Sequence, residues 1–189
     1  MLYRFSTILV SFYLKLFYEL EVSGREKFPK KGSFILAASH LSNFDPLLLA
    51  TVSPRKVGFL AKEEIFKKQI SRLYFKSVGV IPLKRGKNDI RAVRIALETL
   101  KNKPLLIFPQ GTRGASFEEV NMGVGFFCKK AKVPIVAARI YGIEKEFSLG
   151  GNFFNKAKIK VIFDKVNNIE ESDSYEDVAR KVADKVKSL

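Results

Sequence analysis

At 189 residues, 47% hydrophobic and 12% aromatic (17 Phe, 6 Tyr, no Trp), the chain can bury one core; this excludes a disordered chain and argues against two full domains. One cysteine and one histidine exclude an internal disulfide, a multi-thiolate zinc site and any paired-histidine metal motif. The formal charge of +15, of which +8 falls on residues 51–100, predicts attraction to phosphate-bearing partners: nucleic acid, anionic lipid, phosphorylated metabolites or an acidic carrier protein.

In residues 1–20 the polar positions Arg4, Thr7, Ser11, Lys15 and Glu19 recur every three or four residues, so a helix carries them as one narrow stripe and is apolar elsewhere. Only ten uncharged residues separate Arg4 from Lys15, about 15 Å of helix where a bilayer core takes about 20 residues. A spanning helix is not expected. The apolar run meets Glu19 and Glu21 with no small-residue cleavage site, which argues against a secretory signal. An amphipathic anchor lying in a membrane surface is expected for residues 1–20, with residues 21–189 as the globular domain. A helix packed on the protein's own core or on a partner subunit is the alternative.

Downstream, apolar runs at Ser33–Ala38, Val57–Ala61, Val78–Leu83, Pro104–Phe108, Ile135–Tyr141 and Lys158–Phe163 read as strands. Helical patterns fall between most of them. Asp45-Pro46 offers an N-cap followed by proline. Asn88–Leu100 and Gly123–Lys132 carry helical spacing, the latter with Cys128 as a small buried residue, and Ser174 with Asp177 opens a final helix with a capping-box-like pair. This alternation predicts an α/β fold, a single domain with a mostly parallel central sheet flanked by helices.

Chemistry has two main places to sit. In Ala38-Ser-His-Leu-Ser-Asn-Phe-Asp-Pro46 a strand runs into His40, and a turn can fold Asp45 back onto its imidazole. A carboxylate on one ring nitrogen fixes the tautomer and leaves the other to take a proton from a hydroxyl; a structural histidine is the plainer reading of this spacing. In Ile107-Phe-Pro-Gln-Gly-Thr-Arg-Gly114 a strand ends in a glycine-bearing turn whose backbone and Arg113 suit an anion, or form an ordinary surface loop. His40, Lys62, Arg85 and Arg113 all fall just after predicted strands, which in a parallel sheet gathers them on one edge.

Taken in order, His40-x-x-x-x-Asp45, Val80-Ile-Pro-Leu-Lys-Arg85, Phe108-Pro-Gln-Gly-Thr-Arg113 and Val133-Pro-Ile-Val136 resemble the four blocks of the glycerolipid acyltransferases, nearest to the bacterial 1-acylglycerol-3-phosphate acyltransferases. The resemblance covers residues 20–165. It implies transfer of a fatty acyl group from an acyl carrier protein or coenzyme A thioester to the free hydroxyl of lysophosphatidic acid, giving phosphatidic acid without metal or resident cofactor. It assigns His40 as general base and Asp45 as its orienting partner, and Lys62, Arg85, Gln110, Gly111, Thr112 and Arg113 to substrate binding; Gly111 and the adjoining backbone would support the oxyanion or the acceptor. The family's third block normally has Glu where Gln110 stands, and its second has Asp where Lys84 stands; both changes remove a negative charge and bear on acceptor choice.

The resemblance further implies an enzyme at the cytoplasmic face of the cell membrane, peripheral or monotopic, that uses its basic surface on anionic lipid. Related acyltransferases with another lysolipid acceptor and a catalytically silent lipid-binding relative are the alternatives. A basic nucleic-acid-binding module is the reading from another class. It is disfavoured because the aromatic residues cluster in apolar runs rather than alternating with Lys and Arg on one surface, so no nucleic acid partner is expected.

Overall fold

The computed structural model describes residues 2–67, 69–83, 90–111, 113–117, 120, 122–143 and 157–189. The chain opens with α1 (Leu2–Phe17) and passes without a loop into β1 (Tyr18–Ser23). The expected helix thus ends three residues early. Tyr18, Leu20 and Val22 pack on the core while Glu19 is exposed, an alternation that suits a strand and not a helix.

Five parallel strands follow: β2 (Ile35–Ala38), β3 (Gly58–Lys62), β4 (Val80–Leu83), β5 (Leu105–Ile107) and β6 (Ile135–Tyr141). They are joined through α2 (Asp45–Val52), α3 (Gln69–Val78), α4 (Ile90–Leu100) and α5 (Met122–Ala131). The strand expected from Val78 starts at Val80, because Val78 closes α3, a helix the sequence reading did not contain. β7 (Ala157–Val166) runs antiparallel to β6 and parallel to β1, and α6 (Tyr175–Ser188) ends the chain behind the Ser174–Asp177 capping box.

The sheet order is β1-β7-β6-β2-β5-β3-β4. From β2 the chain steps outward to β3 and β4, then turns back to lay β5 beside β2 and β6 on its far side. Right-handed crossovers put helices on opposite faces when the direction of travel reverses. Accordingly α1 and α2 share one core cluster with Leu36 and Ala38, and α4, α5 and α6 share the other with Ile35 and Ala37. β2 is fully buried on both faces, as a central parallel strand must be. Its carboxyl end is the point where the topology divides, the place where open α/β sheets bind ligands.

α1 is apolar on two sides. Leu14 is fully buried and Tyr3, Val10, Tyr13 and Phe17 pack on the core, whereas Phe5, Ile8, Leu9 and Phe12 face outward. Packing on its own core, the alternative reading, thus describes one face of the helix. Among the described residues no helix is long and apolar enough to cross a membrane.

Candidate active site

His40 stands two residues after the end of β2 and lines a cavity, with its side chain 14% exposed. Its Nδ1 lies 2.9 Å from Asp45 Oδ2. A carboxylate oxygen can only accept, so Nδ1 carries the proton and Nε2 keeps a lone pair for an incoming hydroxyl. The same Oδ2 accepts the backbone N–H groups of Leu41 (2.6 Å) and Ser42 (2.7 Å). These donors explain a departure from expectation. Phe44, not Asp45, is the N-cap of α2, and Asp45 is the helix's first residue with its fully buried carboxylate drawn back into the preceding turn. Among the described residues the other oxygen, Oδ1, is buried with no hydrogen-bond partner.

The turn carrying His40 is fastened to both neighbouring strands. Toward β6, Ser39 N–H donates to Ala138 O (3.1 Å) and the Ser39 hydroxyl accepts Ile140 N–H (3.0 Å). Toward β5, the imidazole stacks on Phe108 at 4.0 Å between ring centroids and 16° between planes. His40 N–H donates to Gln110 Oε1 (2.8 Å), and His40 O accepts Gly114 N–H (2.8 Å). Gln110 is buried, and its Nε2 donates to Ala115 O. Gly111 and Gly114 both have φ of +67°, the left-handed region in which glycine avoids a Cβ clash. The Gly111 N–H closes a turn onto Phe108 O (3.0 Å).

The cavity has a volume of about 640 Å³. Lys62 at the end of β3, Gly111 and Arg113 join His40 in lining it, and Lys62 and Arg113 are both exposed to solvent. Leu47, Ala50, Phe59, Leu60, Phe75 and Val78 form an apolar wall. α1 reaches the same cavity through Tyr3, Ser6 and Thr7. Burial raises the Tyr3 phenol above its ordinary pKa, so it stays protonated. It donates to Ala50 O (3.1 Å) and accepts Val57 N–H (3.3 Å), while Ser6 Oγ meets the Tyr74 hydroxyl at 2.7 Å.

The structure therefore brings His40, Asp45, Lys62, Gly111 and Arg113 to one edge of the sheet and places Gln110 behind the histidine. Arg85 and Thr112 lie outside the described residues. Phe108, Gly114 and the α1 and α3 side chains were not among the expected site residues. Phe108 was in plain sight in the third block, but only the adjacency of β2 and β5 aims it at the imidazole. Cys128 takes no part: it is buried, and burial pushes its thiol up to about 12, far from the thiolate a nucleophile needs. Among the described residues no group of three or more His, Cys, Asp and Glu is gathered to hold a metal ion.

An imidazole with its tautomer fixed by a carboxylate, at the carboxyl edge of a mostly parallel sheet and beside cationic side chains, defines an α/β enzyme equipped to activate a hydroxyl. Residues 19–141 match the family model described as Acyltransferase. The chain belongs to that family and is an acyltransferase. The 1-acyl-sn-glycerol-3-phosphate acyltransferase of Bacillus subtilis (strain 168) is 25% identical to it over 163 residues, spanning 85% of this chain and 80% of that one. The crystal structure of the 1-acyl-sn-glycerophosphate (LPA) acyltransferase, PlsC, from Thermotoga maritima shares the fold, with a TM-score of 0.74 at 24% identity, covering 99% of this chain and 76% of that chain.

Proposed function

We propose that the protein moves a fatty acyl group from an acyl carrier protein or coenzyme A thioester to the free hydroxyl of 1-acylglycerol-3-phosphate, giving phosphatidic acid for phospholipid synthesis. The observation that carries this reading is the His40–Asp45 pair at the wall of a cavity that also holds Lys62, Arg113 and an apolar lining. The apolar wall suits a hydrocarbon chain, and the cations suit the phosphate. By family resemblance Arg85 is assigned to the same phosphate and Thr112 to substrate binding.

His40 Nε2 takes the proton of the acceptor hydroxyl as that oxygen bonds to the thioester carbonyl carbon. The tetrahedral intermediate then breaks its C–S bond, and the imidazolium returns the proton to the departing thiolate. Asp45 holds the ring and stabilises its cationic state meanwhile. No acyl-enzyme intermediate and no resident cofactor is needed. Both acceptor and product are lipids, so the outward face of α1 is assigned to a membrane surface at the cytoplasmic side, where the enzyme is peripheral or monotopic.

The test is purified protein with isotope-labelled acyl carrier protein or coenzyme A thioesters and a panel of lysolipids, with products weighed by mass spectrometry. Phosphatidic acid from the wild type, none from His40→Ala and unchanged lysolipid binding by that variant are expected. Full activity of His40→Ala removes the base assignment.

A further inference from the structure

We propose that Gln110 is a positioning residue for His40, and that this site requires an amide at position 110 in place of a carboxylate. The inference rests on His40 being the base and concerns what holds it. His40 N–H is a donor, so the atom facing it at 2.8 Å must be the amide oxygen; Ala115 O is an acceptor, so the other atom must be the amide nitrogen. The orientation is set by chemistry, and both ends of the side chain are spent on the protein's own backbone. Little remains for a substrate, and the residue is buried at 7% exposure.

The two bonds belong to a clasp. Gly114 N–H donates to His40 O, so the 110–115 loop grips the histidine's peptide on both sides, and Phe108 at the foot of the same loop stacks on its ring. Arg113 rides on that loop and lines the cavity with His40. Gln110 thereby fixes the base relative to the guanidinium. A displacement of about 1 Å in such an arrangement costs on the order of a hundredfold in rate.

A glutamate here can accept from His40 N–H but turns a second acceptor toward Ala115 O, unless it takes up a proton. A protonated glutamic acid has one acceptor and one donor and reproduces both bonds. Gln110→Glu should therefore be repaired by acid, and Gln110→Met, with neither group, should not. Among the described residues, the charged and titratable groups at this site are His40 and Asp45 on the β2–α2 turn, Arg113 next to Gly114, and Lys62 at the end of β3. They are common to the wild type and both variants, so ratios to wild type at each pH cancel their direct effect on the chemistry.

The experiment measures kcat and KM for the lysolipid between about pH 5 and pH 8.5, a range that brackets the raised pKa of a buried glutamic acid. Expected is a kcat ratio of Gln110→Glu to wild type about tenfold or more below unity at the alkaline end and rising on acidification, with a flat, low ratio for Gln110→Met. A flat ratio for Gln110→Glu, or a change confined to KM, overturns the proposal.

Because the chain has one histidine, selective labelling with 15N-histidine gives a single backbone amide signal, that of His40. In Gln110→Met it should shift and exchange faster; in Gln110→Glu it should return toward the wild-type position as pH falls. An unmoved signal in Gln110→Met overturns the clasp whatever the activity. A moved signal together with a fully active His40→Ala variant would instead remove the base assignment beneath it. Should Gln110→Met melt below the assay temperature, Gln110→Glu decides alone, by whether acid restores its amide signal.

Discussion

Three donors converge on one oxygen of Asp45, and two of them are backbone N–H groups of the turn that carries His40. The carboxylate thus shapes the turn as well as orienting the ring. Asp45→Asn separates the two tasks, because an amide oxygen can still accept all three bonds but brings no charge to balance an imidazolium. We expect kcat to fall by on the order of 10²–10⁴ with the lysolipid KM within about threefold of wild type. Steady-state kinetics on the purified variant check this, and a kcat within about twofold of wild type would show the charge to be dispensable. The pair was legible from the sequence because its members are five residues apart and one turn joins them. The contacts of His40 with Gln110 and Gly114 were not, since each spans about 70 positions and depends on β5 returning to lie beside β2. Local spacing carries no trace of that pairing.

Elements were legible where one periodicity dominated. β6 spans the residues expected, α5 and α6 differ from expectation by one residue at each end, and α4 ends at Leu100 as expected, its expected start at Asn88 lying outside the described residues. β1 was absorbed into the apolar run of α1, with no proline, glycine or cap to mark where period 3.6 gives way to period two. α3 was missed because its polar positions, Arg72 and Lys76 among them, dilute a short apolar face of Tyr74, Phe75 and Val78. Gly125 is buried within α5, where its role is packing. A Cβ there would lie 1.7 Å from Tyr175 O and 3.0 Å from Ala179 N, both backbone atoms of α6, so the two helices meet at the glycine. Gly125→Ala should cost about 3 kcal/mol, the upper end of overpacking penalties, and lower Tm by about 6–12 °C. Thermal melting followed by circular dichroism checks it; an unchanged Tm means that α6 shifts freely.

α6 is also the acid-sensitive element. Its hydrogen bond from Lys185 holds Asp164 below the ordinary carboxylate pKa, Lys181 does the same for Asp173, and the Ser174 hydroxyl for Asp177. A carboxyl whose folded pKa is depressed contributes stability above its unfolded value, about 3.9, and loses it as pH falls through the folded one. All three therefore support α6 fully near neutrality and release it together in acid. Amide hydrogen exchange in α6 should rise as pH drops below about 4, after correction for the intrinsic rate, ahead of exchange in β2 and β5. Simultaneous loss of protection in α6 and β2 would place the acid weakness elsewhere. This face of the sheet is opposite the cavity, so loosening α6 should precede loss of the site.

At the scale of the whole molecule the face that carries the cavity is closed by α1, and the proposed reaction requires lipid to be met at the outer side of that helix. Phe5, Ile8, Leu9 and Phe12 recur at the spacing of one helical stripe and are 52–68% exposed, while Leu73 of α3 adds a further exposed apolar side chain at 65%. Burying a side chain of this size in an acyl phase is worth about 1.5–3 kcal/mol. Replacing Ile8 and Phe12 together by aspartate should therefore weaken vesicle binding by about a hundredfold or more. These side chains point away from the core, so Tm should hold, and turnover of a short-chain lysolipid dispersed as monomers should hold with it. Salt separates the two forces. Raising ionic strength to about 0.5 M should weaken wild-type binding to vesicles of anionic lipid without abolishing it, because screening removes the attraction of the basic surface and leaves apolar insertion intact. Co-sedimentation of wild type and double variant at low and high salt gives both results. Vesicle binding by the double variant equal to wild type would assign this stripe to a partner other than lipid, while loss of turnover on monomeric acceptor would show that the stripe shapes the cavity instead of delivering the enzyme to its substrate.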